Sequence, residues 1–189
     1  RCVYASSAAT YGNGDIGYDD NHDLFDSLTP LNLYGKSKLL VDIWARDGGY
    51  LDHAVGLRYF NVYGPRQSEE GAYALVIAKF LKQRREKTPL TITGDGEQTR
   101  DFTHVHDVVR ANMLAMESEG VGSGEVINIG AGNNYSVNTV AALIGGETAH
   151  IPARLEPKHT LADNSRAKKL LGWEPFESFE KGVEELKEI

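Results

Sequence analysis

The sequence predicts an α/β fold in which a mainly parallel β-sheet carries helices on both faces. Short apolar runs alternate with longer segments of helical periodicity, and the helical segments are long enough for right-handed crossovers between parallel strands. The apolar runs also end in glycine or small polar residues. With 189 residues, 41% hydrophobic and 25% charged, the chain has the size and composition of an ordinary globular domain.

The first half of the chain contains two predicted strands and one predicted helix. The run CVYASS is apolar and ends in two serines, which predicts a buried strand, and an acidic loop from Gly12 to Thr29 follows it. The segment LYGKSKLLVDIWARDGGYL predicts a helix that ends at Gly48 and Gly49. The run HAVGLRYFNVYGP predicts a second strand that ends before Gly64-Pro65.

The same alternation continues to the end of the chain. Strands are predicted in LTITGD and EVINIG, and helices near Ala72–Arg85, Val105–Glu117, Val137–Ile144, Arg166–Leu171 and Phe179–Lys187. Ligands of open parallel sheets bind beyond the carboxyl ends of the strands. The residues that follow the strands are therefore the candidates for a functional site.

The composition excludes several classes of function. A net charge of −7 argues against binding to nucleic acid or to an anionic membrane, since both require a basic surface. The single cysteine, Cys2, cannot form an internal disulfide, and no apolar stretch reaches the about 20 residues of a membrane-spanning helix. We therefore expect a cytoplasmic protein.

Three glycines after the first strand have the spacing of a dinucleotide-binding turn. Gly12, Gly14 and Gly17 fit the pattern G-x-G-x-x-G, but such a turn must open a helix at once, because the helix N-terminus holds the pyrophosphate. Here the acidic sequence YDDNHD follows, which has no helical pattern and would repel a phosphate. We interpret the glycines as part of a flexible acidic loop over the ligand site.

Tyr34 and Lys38 form a candidate proton-transfer pair. They lie four residues apart near the start of a predicted helix, so their side chains share one face. An ammonium group stabilises a neighbouring phenolate, which helps a tyrosine act as a base. Such a pair is common by chance on exposed helices, but the strand end at Ser6-Ser7 upstream favours a functional role.

Six motifs, taken together in their order, point to a known family. They are YASSAATYG, YGKSK, LRYFNVYGP, GDGEQTRDFTHVHD, NIGAG and ADNSRAKKLLGW. In this order the chain resembles the extended short-chain dehydrogenase/reductase proteins, specifically the nucleotide-sugar epimerases and dehydratases. The resemblance implies the C-terminal part of a Rossmann-type parallel sheet plus a smaller α/β substrate-binding region.

The resemblance also implies a division of the chain. Residues 1–65 would belong to the NAD-binding Rossmann domain, and residues 66–189 mainly to the nucleotide-sugar-binding region, with some strands and helices returning to the Rossmann domain. The first strand and the glycine turn of the family have no counterpart in this sequence. We therefore expect that the gene product is longer, or that this chain is inactive alone.

Roles follow from the resemblance at the matching positions. Ser7, Tyr34 and Lys38 match the catalytic serine, the catalytic base and the lysine that tunes the tyrosine and holds the nicotinamide ribose. Cofactor contacts are expected at Ser6, Ser7, Tyr34, Lys38, Tyr59 and Phe60, and substrate contacts at Ser7, Tyr34, Asn61, Thr91, Thr93 and Arg100. The implied cofactor is NAD rather than NADP, and the full-length protein would form a homodimer through the helix that holds Tyr34 and a neighbouring helix.

Two charged or metal-binding motifs have competing interpretations. The Arg100 guanidinium suits a diphosphate, which it can bind in bidentate fashion, or it forms an ion pair with Asp101 or Asp95. His104 and His106, with Asp107, suggest a metal site. Alternating positions at a helix start point in different directions, and the resembled family is metal-free, so we predict no metal.

The residues around the motifs favour one reaction. Dehydratases of this type place an acidic residue shortly after the serine, where Ala8 and Ala9 stand here. ADP-heptose 6-epimerases carry a lysine in the loop after the second strand, where this chain has Glu69-Glu70-Gly71. Both differences favour epimerisation at C4 of a nucleotide-diphosphate sugar through a 4-keto intermediate, most simply UDP-glucose and UDP-galactose or their N-acetyl forms.

Three alternatives remain open at this stage. UDP-glucose 4-epimerases often have an asparagine at about the position of Ala72, which leaves the nucleotide contacts there open. An ADP-glycero-manno-heptose 6-epimerase is one alternative, because YASSAATYG, LNLYGKSK and RYFNVYGPR also resemble those enzymes. A sugar-nucleotide dehydratase or reductase is another. The third is a binding protein of the same fold without catalysis, although such proteins usually lose the tyrosine or the lysine, and both are present here.

Overall fold

The computed structural model describes residues 2–14, 18–48, 53–71, 74–154 and 156–188. In these ranges the helices are α1 (Leu33–Asp47), α2 (Val76–Arg85), α3 (Val105–Glu117), α4 (Val137–Ile144), α5 (Ser165–Leu171) and α6 (Phe179–Lys187). The strands are β1 (Cys2–Ser7), β2 (Ala54–Tyr59), β3 (Val62–Tyr63), β4 (Leu90–Thr93), β5 (Thr99–Asp101), β6 (Thr103–His104), β7 (Glu125–Ile129), β8 (Asn134–Ser136) and β9 (Thr148–Ile151). Short 3-10 segments cover Ala8–Tyr11 and His22–Ser27.

A three-stranded parallel sheet in the order β1-β2-β7 forms the centre of the fold. Ser7 pairs with Tyr59, and Tyr59 pairs with Ile129, so the carboxyl ends of the three strands lie level. Two further strand pairs, β3-β6 and β4-β9, are parallel, and β5-β8 is antiparallel. The predicted α/β fold with a mainly parallel sheet is confirmed.

Helices cover both faces of the central sheet. Side chains alternate along a strand, so Val126 of β7 packs with Leu39 of α1, while the next residue, Ile127, packs on the opposite face with Val108 of α3. Trp173 fills the second face, is fully buried and donates its indole N–H to the carbonyl of Asp107 at 2.9 Å. The predicted helices on both faces are therefore confirmed.

A second core lies in the smaller α/β region. Helix α6 contributes Phe179, Val183 and Leu186, spaced four and three residues apart as one helix face requires. They pack with Phe80 of α2 and Val140 of α4. Strand β7 follows α2 and β4 in sequence but pairs with β2 in the central sheet. The division of the chain at residue 65, with some elements returning to the Rossmann domain, stays a prediction.

The structure contains short strands that the sequence did not predict. Strands β5, β6, β8 and β9 have two to four residues each, too few for a period-two pattern to stand out. Strand β3 lies within the predicted second strand, which the structure divides into β2 and β3. Helix α2 begins at Val76 rather than near Ala72, and residues 72 and 73 lie outside the described ranges.

Among the described residues, no helix has the length and apolar character needed to cross a membrane.

The acidic loop between β1 and α1 is anchored where it is described, which corrects the prediction of a flexible loop. Phe25 is buried in the core beside Leu28. The Asp20 carboxylate accepts the backbone N–H of Asn128 at 2.8 Å, although burial raises the pKa of Asp20 to about 6. Gly17, the third glycine of the apparent fingerprint, lies outside the described residues.

Candidate active site

A cavity of about 510 Å³ lies at the carboxyl ends of β1 and β2, where ligands of parallel sheets bind. We call it the main cavity. The predicted site residues that line it are Ser6, Ser7, Tyr34, Tyr59, Asn61 and Arg100. Residues from the sheet, from α1 and from the smaller region thus meet at one place.

Tyr34 reaches the main cavity because α1 begins at a fixed point. The Asn32 side chain caps the helix by accepting the backbone N–H of Gly35 at 2.9 Å. A Cβ atom at Gly35 would lie 2.5 Å from the carbonyl oxygen of Ala9, so only glycine permits this close approach of α1 to the turn after β1. The Tyr34 side chain, in the first turn, is left 42% exposed at the cavity.

Lys38 lies one helical turn after Tyr34 and is fixed beside it. Its Nζ donates to the carbonyl oxygen of Ala5 at 2.7 Å and lies 5.8 Å from the centroid of the Tyr34 ring. An ammonium group has three N–H donors, so two remain for a ligand. The predicted pairing of these two side chains on one helix face is present in the structure.

The two serines of β1 face opposite ways. Ser7 caps the 3-10 segment by accepting the backbone N–H of Ala9 at 3.1 Å, and its own O–H remains a donor toward the main cavity. Ser6 is buried, and its hydroxyl donates to the carboxylate of Asp42 at 2.8 Å. Any cofactor contact at Ser6 would therefore come from its backbone.

Tyr59 and Phe60 follow the same alternation. Tyr59 lines the main cavity, and its hydroxyl donates to the side-chain oxygen of Asn112 at 3.0 Å. Phe60 is fully buried, with its ring against those of Tyr11 and Tyr18. A cofactor contact at Phe60 would also have to come from its backbone.

Asn61 is held by strand β5. Its φ angle is 27°, in the left-handed region that asparagine tolerates better than most residues, and its amide donates to the carbonyl oxygen of Asp101 at 2.8 Å. The buried carboxylate of Asp101 in turn accepts the backbone N–H groups of Ala131, Gly132 and Ala162 at 2.8 to 3.0 Å. Burial raises the pKa of Asp101 to about 6, and these three donors oppose the rise.

A second cavity of about 240 Å³, here called the side cavity, adjoins the main cavity at Asn61 and Arg100. Thr91 and Thr93 of β4 line it, as do Arg154 and Glu156. Arg154 and Glu156 are not among the site residues that the sequence predicted. They follow β9, so the strand-end rule would have included this segment had that four-residue strand been predicted.

Arg100 lies on the boundary of the two cavities. Its terminal nitrogens donate to the carboxylate of Glu156 at 2.7 Å and to the carbonyl oxygen of Thr99 at 2.8 Å. The ion pair considered from the sequence thus forms with Glu156, and not with Asp95 or Asp101, because the segment after β9 folds back over β5.

His104 and His106 lie close together, which corrects the expectation that they point in different directions. Their ring centroids are 4.6 Å apart, and the ligand atoms of His104, His106 and Glu177 all lie within 4.8 Å of one another. Asp107, the third ligand considered from the sequence, instead accepts the backbone N–H groups of Phe176 and Glu177. The absence of a metal stays a prediction.

His104→Gln is expected to make stability less sensitive to acid. His104 is buried, and its Nδ1 accepts the backbone N–H of His106 at 3.3 Å, so protonation would bury a charge and remove this cap. Burial and the neighbouring His106 lower the pKa of His104. As pH falls through about 6.5, His104 therefore binds a proton in the unfolded state but not in the folded state, and the free energy of unfolding decreases.

Urea unfolding of both proteins at about pH 8 and about pH 5 measures this effect. The free energy of unfolding of the original protein should fall more than that of the variant over this interval. An equal or smaller fall would contradict a neutral, buried His104.

The fold and the site define a class of protein. A parallel sheet with a tyrosine and a lysine one turn apart at its carboxyl edge is the arrangement of the short-chain dehydrogenase/reductase proteins. A family model described as the NAD dependent epimerase/dehydratase family matches residues 1–130. The chain belongs to this family.

Individual relatives agree on the family and differ in substrate. An ADP-L-glycero-D-manno-heptose-6-epimerase from Nitratidesulfovibrio vulgaris is 36% identical over 76% of this chain and 46% of its own length. An uncharacterised UDP-glucose epimerase from Bacillus subtilis is 36% identical over 96% of this chain and 57% of its own length. This chain thus spans about half the length of these curated relatives.

A solved structure is similar over almost the whole chain. The crystal structure of UDP-glucuronic acid 4-epimerase from Bacillus cereus, in complex with UDP-glucuronic acid and NAD, has a TM-score of 0.85 and 34% sequence identity. The match covers 98% of this chain and 60% of that protein. The expected resemblance to nucleotide-sugar epimerases is confirmed.

Proposed function

We propose that this chain carries the catalytic and substrate-binding part of an NAD-dependent epimerase that inverts C4 of a UDP-sugar. UDP-glucose and UDP-galactose, or their N-acetyl forms, are the proposed substrates. The observation that carries the proposal is the convergence of Ser7, Tyr34 and Arg100 on the main cavity. A proton acceptor, a hydroxyl donor and a diphosphate-binding cation are what this reaction requires of the protein.

Each side chain has a role that its surroundings support. Tyr34 takes the proton of the sugar 4-hydroxyl through its phenolic oxygen, which the exposed ring presents to the cavity. Lys38 stabilises the negative charge on that oxygen. Ser7 donates its O–H to the reacting hydroxyl, and Arg100, with Asn61 beside it, holds the diphosphate.

The residues present fit the nicotinamide end of NAD. Lys38 has two free N–H donors beside the Tyr34 phenol, and such donors suit the vicinal hydroxyls of a ribose. Ser7, Tyr34, Lys38 and Tyr59 would hold that end of the cofactor. When bound, NAD supplies the acceptor and donor of hydride that oxidation and reduction at C4 need.

The residues around the cavity favour epimerisation at C4. Ala8 and Ala9 line the main cavity, so the position after Ser7 offers no acid for the elimination of water. The loop RQSEEG at residues 66–71 has no lysine for a second base, and its Glu69 and Glu70 pair with Arg85 and Lys82 of α2. An ADP-heptose 6-epimerase is the second candidate, because such an enzyme is among the similar proteins.

Turnover and binding assays on the full-length protein that carries this sequence separate these functions. Conversion of UDP-glucose to UDP-galactose in the presence of NAD supports the proposal, and conversion of ADP-glycero-manno-heptose alone supports the second candidate. Calorimetric titration with UDP and with ADP reports the nucleotide preference independently. Binding of UDP without turnover of any UDP-sugar would identify a non-catalytic member of the family.

A homodimer through α1 is part of the proposal. Leu33, Leu40 and Trp44 are exposed on α1 and lie on one side of it, at spacings of seven and four residues. An apolar helix face of this kind favours burial against a second copy. A cytoplasmic location stays a prediction from the sequence.

Arg100→Ala is expected to weaken UDP binding by roughly 10- to 100-fold, the cost of charge-assisted hydrogen bonds to the diphosphate. The variant also leaves the Glu156 carboxylate without its ion-pair partner, and this negative charge repels an incoming diphosphate. Titration of the variant with uridine is the control. Because uridine has no phosphate, the affinity of the variant for uridine should fall less than about threefold. An equal loss for UDP and uridine would place Arg100 away from the diphosphate.

A further inference from the structure

A buried ion pair lies directly beneath the candidate active site. The Nε of Arg58, on β2, donates to the carboxylate of Asp42, on α1, at 2.8 Å, and both side chains have no exposed surface. None of the functional roles described so far involves these two residues. Since two charges are expensive to bury, the position of the pair requires an explanation.

Asp42 connects the helix of the candidate catalytic residues to the strand of the candidate catalytic serine. Its carboxylate also accepts the hydroxyl of Ser6 at 2.8 Å and that of Tyr4 at 3.2 Å, both from β1. Tyr34, Lys38 and Asp42 are spaced four residues apart, which places them along one face of α1. Lys38 contacts the same strand at the carbonyl oxygen of Ala5.

In the described part of the chain, the buried guanidinium of Arg58 does not use all of its hydrogen-bond donors, so the ion pair contributes less to stability than it could. Its terminal nitrogens have no hydrogen-bond partner among the described residues, and its guanidinium carbon lies 4.8 Å from the ring centroid of Tyr11 and 4.3 Å from that of Phe25. Apolar side chains of similar volume often stabilise a core as well as a buried ion pair does. A directional role, in which the pair fixes one position of α1, explains its presence better than stability does.

We propose that Asp42 and Arg58 are positioning residues, which fix α1 against β1 so that Tyr34 and Lys38 stay aligned with Ser7. This inference rests on the proposed function. The hydrogen bonds of Asp42 to Ser6 and Arg58 set the height of the helix above the sheet, and a shift of about 1 Å at reacting groups can cost 100-fold in rate.

Two variants and one control test the proposal. Asp42→Asn removes the charge and keeps the shape. The double variant Asp42→Leu with Arg58→Met replaces the ion pair by apolar side chains and should retain the fold. Asp26→Asn is the matched control, because it removes an exposed ion pair to Arg46 on the same helix, with N–O distances of 3.0 and 3.1 Å.

Turnover of UDP-glucose and urea unfolding are measured for each variant. We expect Asp42→Asn and the double variant to lower kcat on the order of 100-fold, with KM changed less than about threefold, while Asp26→Asn changes neither. A merely structural role predicts that the double variant recovers kcat together with stability. That recovery, or an unchanged kcat in Asp42→Asn, would overturn the proposal.

Amide hydrogen exchange in α1 is a readout that needs no substrate. Asp42→Asn should speed exchange across residues 34–42, and Asp26→Asn should leave these residues as they are. If the full-length protein that carries this sequence turns over no UDP-sugar, the proposed function fails, and unchanged exchange in Asp42→Asn would separately overturn the positioning role.

Discussion

Tyr34→Phe is expected to lower the turnover of a UDP-sugar by about 100- to 10,000-fold, the range that a positioned general base contributes. The change removes one oxygen atom, at a ring that lines the main cavity one helical turn before Lys38. Affinity for UDP should stay within about twofold, since the phenol contacts the sugar and not the nucleotide in the proposed complex. Initial rates with UDP-glucose and NAD, together with UDP titration, measure both quantities.

Tyr18→Phe is the matched control for this variant. Its hydroxyl donates to the carbonyl oxygen of His159, and the Tyr18 ring packs against Tyr11 and Phe60 in the core. It does not line the main cavity, so turnover should change less than about twofold. Turnover above about a tenth of the original rate in Tyr34→Phe would refute the assignment of Tyr34 as the base.

Trp173→Ala is expected to lower the free energy of unfolding by about 3 to 5 kcal/mol, as for other large aromatic side chains deleted from a core. Trp173 has no exposed surface and lies between α3, α5 and the central sheet. The variant loses this packing, leaves a cavity and removes the indole donor from the carbonyl of Asp107. Urea unfolding followed by circular dichroism measures the change.

Phe176→Ala provides the comparison from the same segment of chain. Its side chain is 83% exposed, so its removal should change the free energy of unfolding by less than about 1 kcal/mol. If both variants lower the free energy of unfolding by the same amount, the core described around Trp173 would be wrong.

The sequence predicted the elements whose patterns are long. Helix α3 has the predicted bounds, and strand β7 ends at Ile129, one residue before the end of the predicted run. Thirteen residues of helical periodicity, and a short run with three apolar residues before a glycine, are strong local signals. Tyr34 and Lys38 could be paired from their spacing alone, since four residues bring two side chains onto one helix face. Their roles with Ser7 came from the resemblance to a family.

Other parts of the site depend on contacts that no local pattern contains. Glu177 contacts His106, which lies 71 positions away in the sequence, and Arg100 contacts Glu156, which lies 56 positions away. Asp42 has the sequence pattern of an ordinary polar residue in a helix, yet it is completely buried. Only the tertiary fold shows that its partner is Arg58 on a neighbouring strand.

The ion pair between Arg100 and Glu156 has a consequence for how an anionic ligand enters. Both terminal nitrogens of Arg100 are already bonded, so a diphosphate meets a guanidinium whose charge is balanced by the protein. In the proposed complex, binding is then an exchange of one anion for another rather than the neutralisation of a free cation. Such an exchange yields less binding energy than the neutralisation of a free cation. It therefore favours ligands whose other atoms also fit the cavities, and the Glu156 carboxylate disfavours the binding of free phosphate.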